Sequence, residues 1–263
     1  MSLTVTVICP EGVVVAADSR VTLSYYLNPE SVEKTIVQSN FDNATKLMTL
    51  VSPHNYVAIS TVGAGTIADR TIHSYAAEFH ETLGEERLKI REYAEKLETF
   101  YQTQWDNAGH NADDSDIQFQ VAGLDEGELY GELYNVTVPK GKSKPVQLIK
   151  PGLFNVAWNG DISIVTRLVN GIDPTIAFNL MAAGFDKTVT EKISAIIASV
   201  PGINYPISTY ALQDGINLAR FLIKSTVQGQ NLLQTQRTVG GNIDICIITS
   251  ENGCSFISKK ELS

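Results

Sequence analysis

Long apolar runs and basic clusters are both scarce in this chain. No apolar run approaches the roughly 20 residues that a membrane-spanning helix needs. The opening MSLTVTVICPEG has no basic segment ahead of its apolar stretch, unlike a secretory signal. With 20 Lys and Arg against 29 Asp and Glu, the formal net charge is −9, and no basic run marks a surface for nucleic acid. These absences predict a cytoplasmic protein that binds neither a membrane nor a nucleic acid.

Cysteine is also rare, with only Cys9, Cys246 and Cys254 in the chain. An odd number without CxxC spacing predicts neither a disulfide framework nor a zinc site. His73 and His80 lie two turns apart on a predicted helix, without a second cluster to complete a metal site. The Gly-rich stretch TVGAGT lacks the lysine of a phosphate-binding loop. We therefore expect no metal and no other cofactor.

Strand patterns dominate the two ends and the centre of the sequence. Four hairpins are indicated by short β-branched or alternating segments around turn residues. Their segments are TVTVIC with GVVVAAD, KLMTLV with YVAISTV, the two halves of IQFQVAGLDEGELYGELYNVTV, and NIDICIITS with CSFIS. KPVQLI and LFNVAW indicate two further strands. The polar segment from Leu23 to Thr45 has no clear period and is interpreted as a long loop.

Helix patterns fall into blocks between these strands. Apolar residues at helical spacing predict helices over Ile67–Gly84 and Leu88–Ala108. Three more are predicted over DISIVTRLVNG, KTVTEKISAIIASV and TYALQDGINLARFLIKSTVQ. Blocks of strands that alternate with pairs of helices favour an α+β fold over a doubly wound parallel sheet. Because no repeat, low-complexity tract or linker divides the chain, one domain over residues 1–263 is expected.

The stretch GVVVAADSR poses the functional question. Five small apolar residues run directly into Asp18 and Arg20, although a buried strand rarely ends on charged residues without a reason. Further on, a lone lysine heads the strand segment KLMTL, and a glycine-containing turn, STVGAG, leads into a helix pattern. The chain closes with VGGNIDICIIT.

This combination resembles the proteasome β-subunit family of N-terminal nucleophile hydrolases, which includes bacterial peptidase rings and bacterial ancestral β-subunits. The likeness spans most of the chain and is strongest over Val5–Thr22, Lys46–Arg70 and Thr238–Ser250. It implies a four-layer αββα sandwich, in which two antiparallel sheets pack face to face and helices cover their outer surfaces.

The resemblance also implies a nucleophile. The family's acidic residue stands sixteen positions after its N-terminal threonine, and counting back sixteen from Asp18 reaches Ser2. The hydroxyl of Ser2 would attack the substrate carbonyl, and its α-amino group would act as the base once Met1 is removed. With a pKa of about 7.7–8.0, an α-amine is partly neutral at physiological pH and is able to accept that proton.

Four further positions follow from the same likeness. Lys46 would favour the ionised hydroxyl, and Asp18 would keep that lysine charged. The backbone of Thr22 would pair with an extended peptide substrate. In the turn from Ser60 to Gly63, the N–H of Ser60 would stabilise the oxyanion, and Gly63 would border the substrate.

The remaining matches are supporting positions, and some depart from the family. Arg20 is expected to bridge locally and hold the loop after it, and Gly240 belongs to the closing GG pair. Asn159 stands where the family has a serine in its central turn. Gln236 and Val239 replace a second acid and another serine, so the network around the nucleophile differs.

Three functions remain open from the sequence. The first is a peptidase that cleaves peptides or unfolded proteins, with any unfoldase partner left open. The second is a catalytically inactive, ring-forming scaffold, and the third is an amidase that acts on a small non-peptide amide. The helix blocks Ile67–Gly84 and Leu88–Ala108 hold more apolar residues, many of them aromatic, than one core-facing stripe needs, which predicts a homo-oligomer. The alternative is that these aromatics cover the Leu23–Thr45 loop within one chain.

Overall fold

The structure is a computed structural model. The described residues are 2–26, 36–109, 115–139, 144–199, 205–233 and 236–261.

Two five-stranded antiparallel sheets form the centre of the fold. The first sheet has the order β12-β1-β2-β13-β14. Its strands are β1 (Leu3–Cys9), β2 (Gly12–Asp18), β12 (Asn155–Gly160), β13 (Ile243–Thr249) and β14 (Gly253–Ser258). The second sheet has the order β11-β10-β9-β6-β5. Its strands are β5 (Leu47–Thr49), β6 (Val57–Gly63), β9 (Ile117–Gly123), β10 (Glu132–Val138) and β11 (Val146–Ile149).

All four hairpins predicted from the sequence are present. They are the pairs β1 with β2, β5 with β6, β9 with β10, and β13 with β14. The two additional strand segments form β11 and β12, which pair with β10 and β1.

The described helices are α1 (Ala76–Glu81), α2 (Ile90–Asn107), α3 (Ser163–Asn170), α4 (Ile176–Ala182), α5 (Lys187–Ser199) and α6 (Leu212–Leu232). Four of them, α1, α2, α3 and α6, lie on the outer faces of the two sheets. Side chains of α1 and α2 share one apolar cluster with β6, β9 and β10. Those of α3 and α6 share another with β1 and β2, and a third cluster fills the space between the sheets. These four layers confirm the α+β class and the αββα sandwich, while the single domain over residues 1–263 stays a prediction.

Burial on both faces explains why β2 is apolar without alternation. Val14 and Ala16 pack in the cluster that contains α6, whereas Val13 and Val15 face the second sheet. A strand covered on both sides reads as a continuous apolar run. Small side chains suit this position because a helix lies on one face of the strand and a sheet on the other.

The interpretation of Leu23–Thr45 as a loop is wrong for residues 23–26 and 36–41, whereas residues 42–45 have no regular structure. β3 (Val21–Tyr26) and β4 (Ile36–Phe41) form a separate two-stranded antiparallel sheet. Polar residues such as Thr22 and Asn40 face each other across this pair, so the apolar alternation that signals a half-buried strand is missing. Residues 27–35, also part of the predicted loop, lie outside the described residues.

The helix predicted over Ile67–Gly84 is much shorter than expected. A small hairpin of β7 (Thr66–Ile67) and β8 (Arg70–Thr71) comes first, followed by a 3-10 turn over Ile72–Tyr75 and then α1. The hairpin, the 3-10 turn and α1 each direct apolar residues into the core. The spacing of these residues along the sequence resembles that of one long amphipathic helix. The second prediction, Leu88–Ala108, corresponds to α2 within two residues at its start and one at its end.

The aromatic residues of these two blocks are buried within the chain, apart from Phe100, which is partly buried. Tyr93, Tyr101 and Trp105 pack with Phe119 and other residues of the second sheet. They cover that sheet, so their number alone provides no argument for an oligomer. The large exposed apolar side chains lie elsewhere, four of them on α4 and α5.

The cysteines also depart from expectation. Cys246 of β13 and Cys254 of β14 are joined by a disulfide, whereas no disulfide framework was predicted. The hairpin register places Ile248 opposite Cys254, which leaves Cys246 in diagonal contact with it. Cys9 is a buried free thiol. Within the described residues, no helix combines the length and the apolar character needed to cross a bilayer.

Replacing Leu222 tests the packing of α6 on the first sheet. The Leu222 side chain is fully buried, so Leu222→Ala should lower the free energy of unfolding by about 2–5 kcal/mol. Its neighbour Phe221 is 48% exposed and is the matched control, with an expected change within about 0.5 kcal/mol for Phe221→Ala. Chemical denaturation measures both values. Equal losses would contradict the assigned helix face.

Candidate active site

The centre of the site is a buried ion pair at the end of β2. Lys46 Nζ lies 2.7 Å from Asp18 Oδ1, with 5% of the lysine side chain and none of the aspartate side chain exposed. The Asp18 carboxylate also accepts hydrogen bonds from the N–H groups of Leu3 at 2.9 Å, Arg20 at 3.2 Å and Gly240 at 2.9 Å. Four donors therefore converge on one carboxylate.

Lys46 is held directly before β5. Its carbonyl accepts a hydrogen bond from Thr61 N–H at 3.0 Å, which ties it to β6, and its ammonium also donates to the Arg20 carbonyl. Burial lowers the pKa of the Lys46 ammonium, while the charge and hydrogen bond of Asp18 oppose that shift. The charge of Lys46 therefore depends on its contact with Asp18, and the pair lies in a poorly solvated part of the protein.

Ser2 immediately precedes β1 and lies on the wall of the same cavity as Lys46. It is 6% exposed, and its carbonyl accepts a hydrogen bond from Asp161 N–H at 2.7 Å. Met1, whose removal is predicted from the sequence, lies outside the described residues.

The cavity has a volume of about 520 Å³ and a mixed apolar and hydroxyl lining. Its wall consists of Ser2, Val21, Thr22, Phe41, Asn43, Ala44, Thr45, Lys46, Thr61, Val62, Gly63, Ala64, Gly65, Thr66, Thr71, Ile72 and His73. No carboxylate is among these described residues. A cavity of this composition suits an uncharged side chain or acyl group.

The two predicted substrate-binding residues both line this cavity. Thr22 lies in β3, and its hydroxyl donates to Asn40 Oδ1 at 2.8 Å. Gly63 ends β6 with φ +97°, and a Cβ there would lie 2.1 Å from the Asp116 carbonyl oxygen. Only glycine fits that backbone position without displacing β9.

Ser60 is not brought to the cavity. It lies inside β6, opposite Leu47 on one side and Gln120 on the other. Successive residues of a strand direct their N–H groups to opposite neighbours. Since Thr61 N–H points to Lys46 on the β5 side, the Ser60 N–H points to β9, away from the cavity.

Gly65, unlike Ser60, lies on the cavity wall. It lines the cavity just after β6, and among the described residues its N–H has no acceptor. Sequence analysis missed it because the turn was aligned on Ser60 to Gly63. The later glycine in STVGAG was the available signal.

Arg20 and Gly240 support the ion pair from outside. The Arg20 guanidinium binds both carboxylate oxygens of Asp42, at 2.7 and 2.8 Å, and its Nη1 donates to the Arg237 carbonyl at 3.3 Å. A Cβ on Gly240 would lie 2.5 Å from Arg20 Cζ. The guanidinium therefore links the segment after β4 to the segment before β13, and a side chain at position 240 would displace it.

Asn159 is not among the described residues that line the cavity. It lies in β12 opposite Thr4 and donates from Nδ2 to Asn135 Oδ1 at 3.1 Å, which links the two sheets. Gln236 is exposed, and Val239 is buried in the apolar cluster beside α6. The structure therefore does not bring these three side chains together around Ser2.

An acidic network that the sequence did not reveal stands behind Ser2. Asp161 Oδ2 accepts hydrogen bonds from Gln230 Nε2 at 2.7 Å and from the Thr238 hydroxyl at 3.2 Å. Gln230 Oε1 in turn accepts from Val239 N–H at 3.0 Å. These residues come from three segments that are far apart in the sequence. The only sequence signal for the network was Asp161 itself, an acid directly after the strand that ends in WNG.

His73 also lines the cavity, although it was considered only as a metal ligand. Its Nδ1 is shielded from solvent and has no hydrogen-bond partner among the described residues. Burial lowers the pKa of the imidazole, and the charges of Lys260 and Lys259 lower it further. The ring is therefore neutral at pH 7.

Comparison with known proteins supports the fold. No protein-family model matches the chain, nor does any curated protein. Among solved structures, Anbu (ancestral beta-subunit) from Yersinia bercovieri is similar, with a TM-score of 0.55 and 15% identity, covering 98% of this chain and 87% of that chain. The Anbu (Gly-1) mutant from Hyphomicrobium sp. strain MC1 has a TM-score of 0.54 and 16% identity, covering 98% of this chain and 88% of that chain. At these identities the likeness establishes the fold alone.

Replacing Asp18 tests the coupling of the buried pair. Asp18→Asn should lower the free energy of unfolding by about 3–5 kcal/mol, because it leaves the Lys46 ammonium buried without a counter-charge. Asp42→Asn is the control, since Asp42 is 44% exposed and its ion pair with Arg20 should contribute less than about 1 kcal/mol. Urea unfolding at pH 7 measures both. Comparable effects of the two substitutions would contradict the central role of Asp18.

Proposed function

We propose that this chain is a proteasome-like N-terminal nucleophile peptidase of the cytoplasm, with Ser2 as nucleophile. The observation that carries this proposal is the shared cavity of Ser2 and Lys46, with the buried Asp18 bound to that lysine. The likeness of the fold to Anbu structures supports it independently of these residues.

The reaction begins once removal of Met1 frees the α-amino group of Ser2. The amine takes the hydroxyl proton, directly or through a water, while the oxygen attacks the peptide carbonyl. The tetrahedral intermediate collapses to an ester on Ser2, and the leaving amine takes up the proton. Water then attacks this ester with the same amine as base, which releases the acid and regenerates the hydroxyl.

Three other groups have distinct roles in this reaction. The Lys46 ammonium stabilises the developing charge on the Ser2 oxygen, and Asp18 keeps the ammonium charged and oriented. The free N–H of Gly65 replaces that of Ser60 as the oxyanion donor. A backbone donor needs no reorganisation during the reaction because its strand and turn already hold it.

A peptide is the proposed substrate because β3 offers an open edge. Among the described residues, β3 pairs with β4 alone, and Val21 and Thr22 border the cavity. An extended peptide is able to add to such an edge through backbone hydrogen bonds, which places one side chain in the cavity. The lining without carboxylates favours an apolar side chain over lysine or arginine at the cleaved bond.

Self-association is part of the proposal, on different grounds from those in the sequence. Phe178, Met181, Phe185 and Ile196 on or beside α4 and α5 are 47–69% exposed, and no described residue of α4 is buried. Two helices with apolar side chains open to solvent are better suited to an interface between copies than to a free surface. A closed assembly would also keep folded proteins away from an unspecific nucleophile.

Activity and processing together test the nucleophile. Intact-mass measurement should show that Met1 is absent, and the protein should hydrolyse fluorogenic peptides with an apolar residue at the cleaved bond. Ser2→Ala retains the amine but lacks the hydroxyl, so kcat should fall by at least about a thousandfold. Ser2→Thr retains the hydroxyl and is the matched control, with activity preserved.

Two outcomes would reject this mechanism. One is complete retention of Met1 in protein purified from its native host, which would favour the inactive scaffold. The other is full turnover by Ser2→Ala. Hydrolysis of small amides but of no peptide would favour the amidase instead.

The assembly has its own test by light scattering at micromolar concentration. The expected mass is a multiple of the 28.7 kDa chain mass. Phe178→Asp should reduce it, because Phe178 is 69% exposed on α4 and would bring a charge into the interface. Leu129→Asp is the control on the loop between β9 and β10, where Leu129 is 73% exposed. A single species of chain mass in the unmodified protein would contradict the proposal.

A further inference from the structure

A second buried lysine–aspartate pair lies beside the candidate active site. Lys260 Nζ is 2.9 Å from Asp244 Oδ2, and both side chains are 5% exposed. The Lys260 N–H donates to the other carboxylate oxygen of Asp244 at 2.8 Å. This doubly bound residue follows β14, so the last described segment of the chain folds back onto β13.

The ammonium of Lys260 has one more partner, and it belongs to the cavity wall. Nζ donates to the Ala44 carbonyl at 2.9 Å, and the Ala44 N–H donates to the Ser19 carbonyl at 2.9 Å. Ala44 lines the cavity and stands two residues before Lys46. The wall segment is therefore held on one side by Lys260 and on the other by the residue after Asp18.

The two ion pairs are neighbours in the first sheet. Asp18 lies opposite Ile243 in the β2–β13 ladder, and Asp244 lies opposite Ala17 in the next position. Adjacent residues of a strand point to opposite faces, so the two carboxylates receive their lysines from different directions. A buried ion pair costs desolvation and is weak evidence for stability by itself, which favours a role in organising the site.

Lys260 also influences Lys46 through its charge. Burial lowers the pKa of Lys46 most, Asp18 raises it, and the positive charges of Lys260 and Arg20 lower it. The charged groups that act on Lys46 are Asp18 of β2, Arg20 after it, Asp42 after β4 and Lys260 after β14, whose own partner is Asp244. The titratable groups of Ser2 and His73 line the same cavity as Lys46.

We propose that Lys260 is a positioning residue for the candidate active site, an inference that rests on the proposed function. It fixes the wall segment that leads to Lys46, and its charge, balanced by Asp244, sets the electrostatic environment in which Lys46 acts.

Variants that change the charge near Lys46 in opposite directions test this inference. Lys260→Met removes a positive charge and should raise the pKa of Lys46, whereas Asp244→Asn leaves Lys260 unbalanced and should lower it. The double variant should return close to the unmodified protein. Lys259→Met is the matched control, because Lys259 is the exposed neighbour and does not contact Ala44 or Asp244 among the described residues.

Two measurements separate this inference from the proposed function. The rate of acetylation of the Lys46 amine against pH, followed by peptide mass spectrometry, reports its pKa without any need for activity. The alkaline limb of kcat/KM for peptide hydrolysis should move in the same direction in each variant. Because the wall segment is released as well, Lys260→Met should also lower kcat/KM by about tenfold or more.

The outcomes are distinguishable. No hydrolysis by the unmodified protein, together with opposite shifts of the Lys46 pKa, would reject the peptidase and keep Lys260 as a positioning residue. An unchanged Lys46 pKa in folded variants, or shifts of the same sign, would overturn the inference. If Lys260→Met does not fold, Asp244→Asn and the double variant carry the test, since their expected pKa values still differ.

Discussion

The Asp18 carboxylate is the point on which the rest of the site depends. It binds the Lys46 ammonium and also the backbone N–H groups of Leu3 and Gly240. These groups come from the start of β1, from the segment before β5 and from the segment before β13. A buried carboxylate needs several donors to remain charged, and this requirement positions the first residues of the chain against the lysine.

The layered fold makes such a site possible. β1 and β2 are covered by α6 on one face and by the second sheet on the other, so their ends are rigid and poorly solvated. Ser2 lies at one of these ends, and the cavity opens where β3 and the segment after β6 leave the sandwich. Electrostatic interactions are stronger in such a place than in water, which applies to both lysine–aspartate pairs.

The surroundings of Ser2 are held by side chains that differ from those of the family that the sequence resembles. Asn159 links the two sheets through Asn135 rather than reaching the cavity, while Asp161 collects hydrogen bonds from Gln230 and Thr238 and donates its own N–H to Ser2. The positions differ, but a polar network still supports the start of β1. This is why a match at single positions underestimates how well the site is organised.

The sequence by itself determined the hairpins and the α+β class, because turn residues and local periodicity are short-range signals. The Asp18–Lys46 pair was expected only from the resemblance to a known family, since no local pattern joins two residues 28 positions apart. Only the tertiary structure decided that residues 23–26 and 36–41 are strands, that Cys246 meets Cys254, and that Gly65 rather than Ser60 borders the cavity. Each of these depends on strand register or on contacts between distant segments. The role of Lys260 is also visible only in the tertiary structure, since its partners Asp244 and Ala44 are 16 and 216 residues away along the chain.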